Sequence, residues 1–439
     1  MMIYPTSIRQ PLIKRIEELS KRKWIQKPKH LPSTKVFQQL IDIAFHASFM
    51  TEEKRRPGFR LLYCRPEDLK PTERYEFLYR RSRTITMPSP RPFNVSELNR
   101  IAPAADRTRF LICVCPEKKK ENSLRIWGLL DVGENWWKFV HREASGGMPP
   151  PNFLTITSTA PGELSFSAQG FILLTLRGGK LSYPLENPIG SGPISKFLDP
   201  SRQRLYDQTI QELKTDNWDD EGHDDDYPRH FYDFFLERLL YNARYLGHGG
   251  TIIVVPEEIG FDDSRLTDRI LLKYATNYDY AWDSLVLSLV NHRRYYDLHF
   301  PLYREEKELT LEAFRELNSL QFEEEKIDEE IQDIAKSIAS LTSVDGALVI
   351  TTQFKVLGFG GEIIAISPTL TSVTMASDQR KKDPIESFGT RHRSAFRFAS
   401  SFEDSVVFII SSDGGVKAAK RHGSKLLFWS DINQGVMGL

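Results

Sequence analysis

Cysteine is scarce in this chain: Cys64, Cys113 and Cys115 are the only three among 439 residues. An odd and sparse set does not build a disulfide framework, which favours a reducing cytosol. Cys113 and Cys115 lie in the apolar run Phe110–Cys115, where alternate residues of a strand point to opposite faces. Because no second ligand pair follows at zinc spacing, we interpret them as buried strand cysteines rather than a metal site.

A charge excess of one sign is also missing. Lys plus Arg and Asp plus Glu each total 59, so the formal net charge is zero and no nucleic-acid-binding surface is indicated. Residues 1–29 contain no apolar stretch of signal-peptide length. No run elsewhere approaches the roughly 20 apolar residues that cross a bilayer. We therefore expect a cytoplasmic protein without nucleic-acid or membrane partners.

The length predicts two or three domains, and the first 300 residues show a mixed pattern. Helical spacing predicts a helix over Val36–Met50. Apolar or alternating runs then predict strands at Phe59–Cys64, Phe110–Cys115, Ser123–Val132, Phe153–Ser158 and Phe171–Leu176. Later stretches predict helices at Pro193–Tyr206, Pro228–Tyr245 and Ala281–Tyr296, and a strand at Thr251–Pro256. This region contains no catalytic pattern.

A narrow apolar stripe follows, made of Ile327, Ile331, Ile334, Ile338 and Leu341. Their spacing of four, three, four and three residues predicts one helix with a single apolar face. Either this helix packs on a sheet, or its stripe is a short coiled-coil seam that supports a dimer. The change in pattern predicts a domain boundary near residue 320.

Two short motifs after this helix bear chemistry. Asp345-Gly346 puts a carboxylate where the backbone can approach a ligand closely. Arg391-His392-Arg393 concentrates two fixed cations and an imidazole beside a Gly-Thr turn, and arginine forks suit phosphate oxygens. Each motif alone is usually a turn or a charged surface. Together they supply what metal-assisted phosphoryl or nucleotidyl transfer requires.

The order and spacing of these motifs resemble those of a known family. Asp345-Gly346-Ala347, followed about 40 residues later by Gly389-Thr390-Arg391-His392-Arg393, is similar to the signature pair of diadenylate cyclase (DAC) domains. The resemblance covers about 115 residues and includes the leading helix and the segment before Ile363. It implies an α/β protein in two parts. A DAC domain at residues 321–439, with a mixed central sheet flanked by helices, follows a mixed α/β region at residues 1–320.

The resemblance also implies site residues. In DAC domains the aspartate of the Asp-Gly-Ala motif supports a metal, Mg²⁺ or Mn²⁺, and activates a ribose 3′-hydroxyl. The resemblance assigns this catalytic role to Asp345, with Gly346 and Ala347 beside it. Contacts with the nucleotide are implied for Ile363, Gly389, Thr390, Arg391, His392, Arg393 and Ser411. ATP is the implied substrate and cyclic di-AMP the product. Because each DAC site holds one ATP, the resemblance implies a homodimer or a higher homo-oligomer.

One departure from the family bears on activity. The family often has Ser-Glu after the last strand, whereas this chain has Ser411-Ser412-Asp413, so Asp413 is the candidate second metal ligand. A nucleotide sensor that binds ATP or cyclic di-AMP without turnover is therefore the alternative. Ala44–Glu53 and Gly247–Pro256 resemble a sensor type found ahead of such cyclases, which implies a regulatory N-terminal region.

Overall fold

A computed structural model describes the chain in thirteen stretches. They are residues 7–22, 25–50, 58–69, 83–117, 120–133, 151–158, 160–182, 187–214, 227–304, 310–367, 369–411, 415–430 and 432. The described residues divide into two compact units: unit 1 within residues 1–184 and unit 2 within residues 185–434.

The described residues of unit 1 form three α-helices and one sheet. Its helices are α1 (Arg9–Lys21), α2 (Thr34–Ala47) and α3 (Val95–Ile101). Its strands are β1 (Phe59–Tyr63), β2 (Arg83–Pro92), β3 (Phe110–Glu117), β4 (Lys120–Asp131), β5 (Leu154–Ser158), β6 (Leu164–Ala168), β7 (Phe171–Arg177) and β8 (Lys180–Ser182). The predicted helix at Val36–Met50 and the five strands predicted in this region are all present, within a few residues at their ends.

The sheet of unit 1 is mixed, in the order β2-β4-β3-β1-β5-β6-β7-β8. Among the described strands of this sheet, β1 and β3 pair in parallel and the other neighbouring strands run antiparallel. One face packs against the helices, where Leu40, Ile41 and Leu98 meet strand residues such as Ile112 and Phe166. The other face has a smaller apolar cluster that includes Cys64, Cys113 and Trp127. The strand interpretation is confirmed for Cys113, which is buried; Cys115 is half-buried.

Unit 2 is also mixed α/β. Its helices are α4 (Gly192–Leu213), α5 (Tyr227–Tyr245), α6 (Ser264–Thr267), α7 (Ala281–Arg304), α8 (Leu311–Ser340) and α9 (Thr390–Ser401). Its strands are β9 (Gly250–Val255), β10 (Ile270–Leu271), β11 (Tyr274–Tyr278), β12 (Ala347–Thr351), β13 (Val356–Ile363), β14 (Ser372–Met375), β15 (Lys382–Pro384), β16 (Val406–Ile410), β17 (Val416–His422) and β18 (Lys425–Trp429). In neither unit does a described helix have the length and apolar composition of a bilayer span.

The sheet of unit 2 follows the order β10-β13-β12-β9-β16-β17-β18-β14-β15, and β11 also pairs with β13. Alternate strand residues face two different cores. Ile252, Leu348 and Phe408 pack with α4, α5, α7 and α8 on one side. Ile253 and Val349 pack with α9 on the other. The expected mixed sheet with flanking helices is therefore present.

The apolar stripe on α8 lies inside unit 2. Ile327, Ile331, Ile334 and Ile338 are buried, and Leu341 follows the last helical residue with partial burial. The stripe belongs to the same core as residues of α5, α7 and the sheet. The helix therefore packs within its own unit, which agrees with the first of the two interpretations.

The compact units do not divide at residue 320, where the sequence pattern suggested a boundary. Strand β9, although it precedes α8 by about 60 residues, lies between β12 and β16 in the centre of the second sheet. Residues Ala347–Thr351 of β12 pair in parallel with Thr251–Val255 of β9. Helices α4, α5 and α7 complete the core on one face, so the sheet requires residues from both sides of position 320.

Candidate functional site

Several candidate residues meet at one end of the second sheet. Strands β9 and β12 run in parallel, so Thr251 and Ala347 are neighbours near their starts. Strands β13 and β16 run the opposite way, and Gly361 pairs with Ala347 while Ile410 pairs with Gly250. The starts of β9 and β12 and the ends of β13 and β16 therefore share one sheet end. Asp345, Ile363 and Ser411 lie at that end.

The turn before β12 requires a glycine. Gly346 has φ +120°, a conformation that L-residues rarely adopt. A Cβ placed there would lie 2.5 Å from the carbonyl carbon of Gly360 and 2.7 Å from the amide nitrogen of Gly361. Ala347 is buried immediately after it, whereas Asp345 is exposed. The tight backbone contact thus fixes the turn that presents the Asp345 carboxylate to solvent.

The second motif forms the first turn of α9. Gly389 is the N-cap, and Thr390 and Arg391-His392-Arg393 are the first residues of the helix. Because glycine has no side chain, it leaves the free amide groups of this first turn uncapped. The positive end of the helix dipole coincides with the arginine cations, an arrangement that attracts anions. Arg391 is exposed and Arg393 is partly buried. The apolar face of α9 holds this turn against the sheet.

Aromatic rings pack beneath the helix start. The ring centroid of Phe388 lies 5.1 Å from that of Phe396 and 5.4 Å from that of Phe428, and both pairs meet edge to face. His392 lies over the same group, 5.8 Å from Phe388. These contacts restrict His392 to the side of α9 that faces β17 and β18.

Lys417 also lies at this site, although no sequence motif indicated it. Its Nζ lies 3.2 Å from Nε2 of His392 and donates to Oγ of Ser411 at 2.9 Å. An ammonium only donates, so Nε2 of His392 is the acceptor in this contact. The available signal was a lysine directly after Val416, which is buried at the start of strand β17. Its partners lie on other elements.

Ile363 is the last residue of β13 and pairs with Ile270 of β10. It is half-buried, and its neighbour Gly361 would place a Cβ 2.5 Å from Cδ1 of Ile270. The backbone of this segment therefore lies close to β10. Asp345 and Ile363 share the sheet end, because Gly361 of β13 pairs with Ala347 of β12.

The sequence predicts two metal ligands, and one of them is among the described residues. Asp345 is described, whereas Ser412 and Asp413 lie outside the described residues. In the part of the chain that is described, no three His, Cys, Asp or Glu side chains group as a potential metal site. Of the two predicted metal ligands, the structure therefore describes Asp345 alone.

The site is wide. Asp345 precedes β12, and Lys417 lies on β17. These two strands are three strand spacings apart in the sheet, or about 14 Å at 4.7–4.9 Å each. A ligand that contacts the carboxylate and the cations together must be elongated. It must also be anionic at the end that meets α9.

Comparisons with known proteins bear on unit 1. Residues 26–131 match the model of a probable sensor domain, DACNV, which covers about a quarter of the 439 residues. No curated protein matches the chain. The expectation of a sensor domain in the N-terminal region is confirmed for these residues, which include Ala44–Glu53. Gly247–Pro256 lies outside the match and forms β9 of unit 2.

Proposed function

We propose that unit 2 is a diadenylate cyclase, which joins two ATP molecules into cyclic di-AMP and releases two diphosphates. The proposal rests on one observation: Asp345 and the cationic first turn of α9 share one sheet end, in motifs that resemble DAC domains. The match of residues 26–131 to a DACNV sensor model supports it, because a sensor domain ahead of the cyclase is the arrangement that the resemblance to DAC proteins implies.

The cations would hold the triphosphate of ATP. Arg391 and Arg393 present guanidinium forks at the N-terminus of α9, where free amide groups add further donors. The hydroxyl of Thr390 lies in the same turn. Lys417 adds an ammonium through its contacts with His392 and Ser411. Backbone atoms near Ile363 would meet the adenine edge.

Asp345 would act at the ribose. The 3′-oxygen of one ATP forms a bond to the α-phosphorus of the other, and the bond from that phosphorus to the bridging oxygen of the β-phosphate breaks. Diphosphate leaves with the bonding electrons, and the hydroxyl proton passes to the Asp345 carboxylate. In the second step the 3′-oxygen of the other nucleotide attacks the α-phosphorus of the first, and a second diphosphate leaves. This step closes the ring, so atoms and charges balance in both steps.

The residues fit a divalent cation, Mg²⁺ or Mn²⁺, shared with the substrate. Mg²⁺ is usually held by one or two carboxylates together with substrate phosphates and water, and Asp345 supplies one such carboxylate. Asp413 is the proposed second ligand. When bound, the cation would neutralise charge that develops on the phosphate oxygens.

Catalysis would require two chains. Each chain has one Asp345 and one Arg391-His392-Arg393 motif, whereas ring closure needs two ATP molecules in mutual attack. Two copies of unit 2 must therefore bring their sites face to face. Unit 1 would regulate this activity as the sensor region.

A second candidate function is nucleotide binding without turnover. Ser411-Ser412-Asp413 stands where the family often has Ser-Glu, so the second carboxylate is one methylene shorter and one position later. In that case the site would bind ATP or cyclic di-AMP as a signal.

One experiment separates the two functions. The full chain is incubated with ATP and either Mg²⁺ or Mn²⁺, and products are identified by mass. The cyclase predicts cyclic di-AMP and diphosphate from the wild type and none from Asp345→Asn, which keeps its ATP affinity. Asp333→Asn, on the exposed side of α8, is the matched control and should behave as wild type. Full turnover by Asp345→Asn contradicts the assignment, and ATP binding without any product supports the second function.

A further inference from the structure

Unit 1 contains a cavity of about 700 Å³ beside β2, β3 and β4. An irregularity in the sheet opens it. Thr86 pairs with Gly128 and Arg91 pairs with Ile126, so β2 advances five residues while β4 advances two. The extra residues bulge away from β4, as an edge strand allows, and Pro88 and Pro90 within the bulge have no amide hydrogen to pair.

The walls of the cavity are rigid and partly apolar. Trp127 forms part of the lining, and its indole Nε1 donates to the carbonyl oxygen of Cys64 at 2.9 Å, which fixes the ring. Pro66, Pro88, Pro90 and Pro116 also line the cavity. Proline rings do not rotate, so little conformational entropy is lost when a ligand enters.

Two arginines line the same cavity. The backbone amide of Arg65 donates to Asp68, but its guanidinium makes no hydrogen bond or ion pair with any described residue. Arg125 reaches both carboxylate oxygens of Glu117 only at 3.4 and 3.5 Å. One cation is therefore available to a ligand, and the second is loosely paired. Glu67 and Glu117 balance the two cations, which disfavours a polyanion.

We propose that this cavity binds a small organic monoanion. A flat apolar body would lie against Trp127 and the prolines, and a carboxylate or a similar single anion would meet Arg65. The volume falls within the range of about 300–1,000 Å³ that small-molecule sites occupy. The lining residues lie inside the range that matches a probable sensor domain, so ligand occupancy is what this domain would report.

A thiol also lies in the cavity lining. It belongs to Cys115, and burial raises the pKa of that thiol to about 11. The thiol therefore stays protonated near neutral pH and is not an activated nucleophile. It contributes a soft apolar surface beside Trp127.

The test uses a fluorescent probe of the proposed chemistry, 1-anilinonaphthalene-8-sulfonate, which has a flat aromatic body and one sulfonate. Titrated into the full chain, it should bind saturably. Arg65→Gln should weaken binding by about tenfold or more, because a hydrogen bond to a charged group is lost. Arg100→Gln, at an exposed arginine of α3 that does not line the cavity, should leave the affinity unchanged.

A second variant fills the cavity. Ser89 lies on the bulge of β2 and is exposed, so Ser89→Phe adds bulk without disturbing a core. It should abolish saturable binding while the melting temperature stays at the wild-type value. Excess ATP should not displace the probe. If both variants retain wild-type affinity, or if ATP displaces the probe, the proposal is overturned.

Discussion

Lys417 Nζ lies 3.2 Å from Nε2 of His392 and 2.9 Å from Oγ of Ser411. One lysine thus connects the first turn of α9 to the end of β16. His392 faces inward over Phe388, so the contact holds the ammonium beside the two exposed or partly exposed arginines. Contacts within the protein thus hold these cationic side chains together.

Replacing Lys417 should weaken ATP binding. Lys417→Met keeps the length of the side chain but removes the charge, and we expect about 10- to 100-fold weaker binding of a non-hydrolysable ATP analogue, as for loss of a charged hydrogen bond. Calorimetric titration measures this. Lys425→Met, at an exposed position on β18, is the control. Equal affinity in the two variants would remove Lys417 from the site.

Mixing active and inactive chains should reveal the required assembly. A pair of wild-type and Asp345→Asn chains has one competent carboxylate, so it completes one transfer and releases a linear product. Cyclic di-AMP formed per wild-type chain should fall as Asp345→Asn is added, and specific activity should rise with total enzyme until the dimer saturates. Product analysis by mass follows both. A constant yield per wild-type chain at every ratio and concentration would exclude paired sites.

Gly346→Ala should destabilise unit 2. The new Cβ would meet the Gly360 carbonyl carbon at 2.5 Å and would hold alanine at φ +120°. Strain and overpacking of this kind each cost about 1–3 kcal/mol, so the melting temperature should drop by several degrees. Gly190→Ala, whose Cβ would lie 3.7 Å from the nearest carbonyl oxygen, should change it little. Equal melting temperatures would show that the turn adapts.

Lys420 gives a pH prediction. Burial lowers the pKa of this lysine to about 8, and Nζ donates to the carbonyl oxygen of Glu403 at 2.9 Å. In the unfolded chain the pKa returns to its ordinary value near 10.5. Between these values the unfolded state binds more protons, so the folded state gains stability as pH rises, by about 3 kcal/mol at most.

The measurement compares wild type with Lys420→Met, which has no titrating ammonium. The difference between their unfolding free energies, from urea titrations at pH 7.5 and pH 10, should shift in favour of the wild type at the higher pH. Other titrating groups cancel in this difference. If it is the same at both values, burial of Lys420 does not shift its proton binding.

The sequence predicted local elements better than long-range pairing. The helix containing Ile327, Ile331, Ile334 and Ile338 follows from residues three and four positions apart, because one helix face collects them. Strand β2 was missed, since its prolines argue against a strand; it lies at the sheet edge, where missing amide hydrogens are tolerated.

The candidate site shows the same limit. Asp345 and the Arg391-His392-Arg393 motif were found from two local patterns. The start of β12 carries the first to one end of the sheet, and the contact of His392 with Lys417 places the second at the same end. Lys417 was not found, because its contacts with His392 and Ser411 are tertiary. The compact units divide near residue 184 and not near residue 320, and the sequence could not indicate this for a related reason. Nothing in the pattern of β9 indicates that its partners are β12 and β16.

The central position of β9 also constrains how a ribosome can deliver this protein. Unit 1 can fold while synthesis continues, since N-terminal domains generally fold first. Strand β9 instead leaves the ribosome long before its partners do. Its residues Ile252–Val255 emerge roughly 100 residues before the strand β12 and roughly 150 residues before the strand β16 with which they pair. Until then these apolar residues have no sheet to enter. The nascent chain therefore passes through a stage in which the apolar residues of β9 wait for their partners, and exposed apolar strands of this kind are prone to aggregate.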